Sequence, residues 1–110
     1  MDVPPEIAFR GLEPTDALKS RILEGIDDLE EVHSRMVSCR VVVEDTTPGR
    51  TSGKVFRVRV DVGIPGNSLV VDWKPETDDD VVDADQAIRN AFSVARRRLR
   101  KAGEKTRAGL

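Results

Sequence analysis

The sequence is poor in the side chains on which most site chemistry depends. Its 110 residues include one cysteine, Cys39, and one histidine, His33. A lone cysteine excludes an intrachain disulfide, and the His–Cys spacing matches no zinc-ligand pattern. Cys39 falls on the inward side of a strand pattern, where a thiol is inert. His33 ends a helical pattern, where a histidine caps carbonyls or packs on the core more often than it catalyses. No apolar run is long enough for a membrane-spanning helix. The opening "MDVPPEIAF" has neither the basic nor the apolar region of a secretory signal, so a cytoplasmic location is expected. "TDDDVVDAD" holds five aspartates but lacks the Gly and terminal Glu of an EF-hand loop; acids there suit a helix N-terminus. "IPGNS" reads as a turn rather than a phosphate loop. No cofactor, metal, membrane, small-molecule substrate or enzymatic activity is expected.

What is abundant is charge. Charged residues make up 35% of the chain and hydrophobic residues 38%, a balance that suits a soluble folded protein. The length fits one domain over residues 1–110, with a core over about 5–103 and a tail, 104–110, expected to fray. The formal net charge is −2, but it is unevenly spread: residues 84–110 carry eight Lys/Arg against two acids, and residues 1–83 carry ten against eighteen. A basic end on an acidic body suggests an interaction surface.

The apolar pattern gives six elements. "EIAFR" alternates as a short strand. In "TDALKSRILEGIDDLEEVH", Thr15 is a good N-cap, and Leu18, Ile22, Ile26 and Leu29 form one helical stripe. Gly25 costs that helix about 1 kcal/mol relative to Ala, so packing must compensate. "VSCRVVVED" points Cys39, Val41 and Val43 to one side. "TTPGRTSG" is a polar loop, expected to be mobile. "KVFRVRVDVGI" and "SLVVDW" are further strands, turning at Pro65, Gly66 and Asn67. The last helix is expected over 81–102, capped by Asp80, with Ala84, Ile88, Ala91, Phe92, Ala95 and Leu99 inward and Gly103 as a stop.

The order β-α-β-β-β-α implies an α+β fold. A right-handed parallel crossover leads into an antiparallel meander, and two helices cover one face of a four-stranded mixed sheet. The other face would carry Arg10, Arg40, Glu44, Arg57, Arg59 and Asp61.

On a helical wheel, Arg89, Arg96 and Arg100 group along one flank of the last helix. Arg97 and Lys101 lie on the far side, and Arg98 on the other flank. Bases near a helix C-terminus complement its dipole by about 0.3–1 kcal/mol each. That accounts for two or three of them, not for all. Charge pattern alone leaves open a nucleic-acid surface and a solvated face.

Taken in order, "SCRVVVE", "GKVFRVRVDVGIPGNSLVV" and "DADQAIRNAFSVARRRL" resemble the ribosome hibernation-promoting factors, also described as ribosome-associated translation inhibitors or sigma modulation-type proteins. The resemblance spans nearly the whole chain and is nearest to short members of that family. It implies a protein that binds the small ribosomal subunit in the channel of messenger RNA and transfer RNA. Basic residues on both helices would contact the RNA backbone. Occupancy would inhibit translation and protect idle ribosomes under stress.

Arg97, Lys101 and Lys105 match positions that are typically basic in such proteins; Arg89, Arg96 and Arg100 add to them, and Lys19 and Arg21 remain on the first helix. The first helix departs from the pattern: Gly25, Asp28 and Glu31 stand where Lys or Arg is usual. Asp85 replaces an aromatic. The expected partner is small-subunit ribosomal RNA, with the protein itself a monomer or weak dimer. The alternative is a diverged protein–protein interaction module of the same fold, using the acidic first helix beside the basic second.

Overall fold

Four strands form one mixed sheet in the order β1-β2-β3-β4: Glu6–Arg10, Ser38–Asp45, Phe56–Ile64 and Asn67–Trp73. The structure, a computed structural model, describes residues 1, 3–77 and 80–108, with side chains described through residue 103. β1 runs parallel to β2, and the later pairs are antiparallel. Between β1 and β2 the chain passes through helix α1, Asp16–Val32; helix α2, Ala84–Ala108, closes the fold. The α+β order expected from the sequence is therefore the order observed.

Strand alternation sets the two faces of the sheet. Val41, Val43, Val58, Val60, Val62 and Val71 are fully buried, with Cys39 beside them. They pack under Ile22, Ile26 and Leu29 of α1 and under Ala87, Ile88, Ala91, Phe92, Ala95 and Leu99 of α2. Both helices thus lie on one face, and the layer order turns their exposed described faces away from the open sheet face.

Local chemistry fixes the helix ends. Thr15 caps α1: its side-chain oxygen accepts from the Leu18 N–H at 3.2 Å. α2 starts later than the pattern suggested, at Ala84 rather than Val81. Its cap is Asp83, whose Oδ1 accepts from the Gln86 N–H at 2.8 Å and whose carbonyl accepts from Ala87 at 2.9 Å. Asp80 is used elsewhere, accepting from the Thr77 hydroxyl at 3.1 Å. Gly103 does not stop the helix. It is not among the positive-φ glycines, so it supplies no left-handed C′ residue, and the helix continues to Ala108.

The polar loop between β2 and β3 is fastened at its base. Buried Asp45 accepts from the Thr47 N–H at 2.8 Å and the Thr47 hydroxyl at 2.7 Å, and from Lys54 at 3.0 Å. Thr47 in turn accepts from the Val55 N–H at 3.1 Å. These bonds hold the Asp45 carboxyl well below its usual range, at about 2, the Thr47 hydroxyl contributing most.

Candidate nucleic-acid interface

The distal half of α2 carries the exposed bases because its apolar stripe dictates which way they point. Leu99 and Ala95 are fully buried. The residues between and beyond them, Arg96, Arg97, Arg100 and Lys101, must therefore face outward, and all four are exposed. Arg96 and Arg100 stand one turn apart on the flank towards α1, and Arg97 and Lys101 stand one turn apart on the crest. Among the described residues, none of these four has a carboxylate within ion-pair distance. Lys19, exposed in the first turns of α1, likewise has none. The side chain of Lys105 lies outside the described residues.

Arg98 takes a different role. Its Nη1 donates to the Val70 carbonyl at 3.1 Å, covering the outer edge of β4. A capped sheet edge is less open to pairing with another chain.

Arg21 and Arg89 sit at a groove between the two helices, of about 250 Å³, lined also by Glu24, Gly25, Asp28, Phe92 and Arg96. These two arginines are not free. Asp85 lies between them: its Oδ1 accepts from Arg21 Nε at 2.9 Å, and its Oδ2 forms an ion pair with Arg89 Nε at 2.9 Å. Arg21 also reaches Glu24 through Nη1 at 2.8 Å. The Arg21 hydrogen bond, aided by both positive charges, lowers the Asp85 pKa, and that same bond raises the pKa of Arg21. The groove is consequently of mixed sign, with Glu24 and Asp28 on the α1 wall. The eight bases singled out from the sequence do not form one row: Arg96, Arg97, Arg100 and Lys101 gather on the far half of α2, unpaired among the described residues, Lys19 stands apart on α1, and Arg21 and Arg89 are held by Asp85.

One part of this was within reach of the sequence. Asp85 precedes Arg89 by four residues, the spacing of a helical ion pair. Its reach across to Arg21 comes from tertiary packing and has no local signal.

The open sheet face is charged but internally matched. Arg40 faces Glu6 on one side and Asp61 on the other, and Arg10 faces Glu44. Arg40 lies 3.7 Å from Glu6 and Arg59 3.4 Å from Asp61, while Arg57 grips Asp72, whose pKa falls as a result. Alternating signs make this face a poor track for a polyanion.

Other groups offer little chemistry. Burial pushes the Cys39 thiol up to about 12, so it holds its proton. His33 ends α1, with its backbone N–H donating to the Leu29 carbonyl at 2.9 Å and its Nδ1 buried without a partner among the described residues. No His, Cys, Asp or Glu cluster suited to a metal occurs among the described residues, and Asp78 and Asp79 lie outside them. Among the described residues no helix is long and apolar enough to cross a membrane.

Comparison with known proteins bears on this fold directly. The N-terminal domain of Protein Y from Thermus thermophilus superposes with a TM-score of 0.67, at 20% identity, covering 92% of this chain and 98% of that one. A ribosomal subunit interface protein from Coxiella burnetii gives a TM-score of 0.67 at 12% identity, covering 91% and 97%. No curated protein matches by sequence. The family model described as sigma 54 modulation protein / S30EA ribosomal protein matches residues 6–107. With the observed β-α-β-β-β-α order and helices on one face, that match means that the chain belongs to the sigma 54 modulation protein / S30EA ribosomal protein family.

Proposed function

We propose that the protein is a non-enzymatic, cytoplasmic ribosome-associated factor that binds small-subunit ribosomal RNA through the distal half of α2. The reading places it in the channel of messenger RNA and transfer RNA, where occupancy inhibits translation and protects idle ribosomes under stress. One observation carries it: Arg96, Arg97, Arg100 and Lys101 are exposed on successive turns without acidic partners among the described residues, in a chain of a ribosome-associated family. Unpaired like charges on one rigid element repel one another, and a phosphate backbone relieves that repulsion while releasing its own counterions. Lys19, exposed two residues before Arg21, belongs to the end of the helix pair where α2 begins, away from this cluster.

Sedimentation with purified small subunits at rising salt tests this. Co-sedimentation is expected at low salt, weakening by a factor set by the number of phosphate contacts as salt rises. No co-sedimentation even at low salt sinks the proposal. The acidic outer face of α1, with Glu24, Asp27, Asp28 and Glu31 exposed, favours a second reading as a protein-docking module. A pull-down insensitive to RNase, without ribosome association, supports that instead.

A further inference from the structure

We propose that Asp85 occupies, in the free protein, the place of an RNA phosphate between Arg21 and Arg89, and so limits how much of the helical groove can bind RNA. The inference rests on the proposed function and concerns the one part of the groove where two arginines from different helices converge.

The geometry is that of an anion site already filled. Two guanidinium groups, one from α1 and one from α2, close on one carboxylate: Arg21 Nε–H donates to Oδ1 at 2.9 Å, and Arg89 Nε makes an ion pair with Oδ2 at 2.9 Å. A phosphodiester offers two non-bridging oxygens and the same charge, and guanidinium recognises carboxylate and phosphate by the same charge-assisted bonds. Arg96 lines the same groove and has no acidic partner among the described residues. A strand bound at the far half of α2 and tracking along the groove therefore meets Arg96 first and the occupied Arg21–Arg89 pair next.

Fold maintenance does not by itself account for the contact. Arg21 and Asp85 side chains keep 31% and 39% of their surface exposed, and Arg89 keeps 50%. Ion pairs this open to water and salt add little to stability. The helices are already joined by the buried contacts of Ile22, Ile26, Ile88 and Phe92. Asp85 also differs from the other groove acids: Glu24 pairs with Arg21 from the same helix, and Asp28 has no basic partner among the described residues. Of the acids at the groove, Asp85 alone spans both helices among the described residues.

The test compares Asp85→Ala with Asp28→Ala, which removes a groove acid that holds no arginine. Binding to small subunits and to a short oligouridylate is measured over a range of salt. Asp85→Ala should bind several-fold more tightly at low salt, and its log K against log salt should steepen by about one contact. Asp28→Ala should gain less and leave the slope unchanged. In an Arg21→Gln background the gain from Asp85→Ala should disappear. Melting curves confirm that each variant is folded. Equal affinity and slope for wild type and Asp85→Ala overturn the inference while leaving the function standing. A gain that persists in the Arg21→Gln background also overturns it, since general charge then explains the effect. If wild type and Asp85→Ala both fail to bind, the proposed function falls and this inference with it.

Discussion

Gly25 of α1 lies directly against the ring of Phe92 of α2: a Cβ at Gly25 would sit 2.6 Å from Phe92 Cγ. Both residues are buried, and the Phe92 ring fills the space that a side chain at position 25 would need. The glycine that weakens α1 locally is what lets α2 pack against it. Any larger residue at 25 collides with the stem of the Phe92 ring, which cannot swing clear as the end of a flexible chain does.

Gly25→Ala is expected to lower stability by about 1–2 kcal/mol, although alanine favours an isolated helix by about 1 kcal/mol. The melting temperature should fall by several degrees. Pairing Gly25→Ala with Phe92→Leu should recover part of the loss, a coupling that a double-mutant cycle measures. Stabilisation by Gly25→Ala alone would show that the helices have room to spare.

The charge reversal Arg97→Glu/Lys101→Glu is expected to abolish co-sedimentation with small subunits and leave the melting temperature nearly unchanged, because both side chains are exposed and unpaired among the described residues. The matched control is Arg10→Glu/Arg40→Glu on the open sheet face, which changes the net charge equally on the opposite side of the molecule. Binding should survive in the control. Equal loss in both variants means that overall charge, not the α2 crest, governs association.

The layout of the molecule was readable in the sequence because burial on one face enforces a period. Val58, Val60 and Val62 alternate with Arg57, Arg59 and Asp61, and the structure buries the valines and leaves the others at least partly exposed. Ile88, Ala91, Phe92, Ala95 and Leu99 likewise set the face of α2, and with it the direction of every arginine on that helix. The exact start of α2 was not readable. Asp80 and Asp83 are both sound caps, and only the hydrogen bonds of the folded chain decide between them.

The site was legible in a different measure. That Arg96, Arg97, Arg100 and Lys101 would face outward follows from the stripe alone. That Arg21 and Arg89 would be tied together does not, since Arg21 and Asp85 are 64 residues apart and meet through packing of the two helices. Gly25 is the clearest case of a hidden cause. In sequence it reads as a missing base on α1; in three dimensions it is a contact surface. The absence of positive charge there comes with a closer approach of the helices, so restoring a lysine would disturb the groove rather than simply enrich it.

Acid should weaken this fold through Asp45. Its carboxyl is held at about 2 against an ordinary 3.8 by Thr47 and Lys54, and its side chain is 1% exposed. A carboxyl depressed in the folded state contributes stability that is fully present above its unfolded pKa and is lost as pH falls through the folded one. The stabilising effect of Asp45 is therefore expected above about pH 4 and should decline towards pH 2. Asp85 and Asp72 are lowered as well, by Arg21 and Arg57, but both are partly exposed, so salt screens them. Melting temperature recorded from pH 7 to pH 2 at high salt isolates the buried group. Asp45→Asn should melt lower at pH 7, because Lys54 loses its charged partner, and its melting temperature should fall less steeply than wild type between pH 4 and pH 2. An unchanged slope in that window would mean that the acid sensitivity of the fold arises elsewhere, and that the hydrogen bonds at the base of the β2–β3 loop contribute no proton-linked stability.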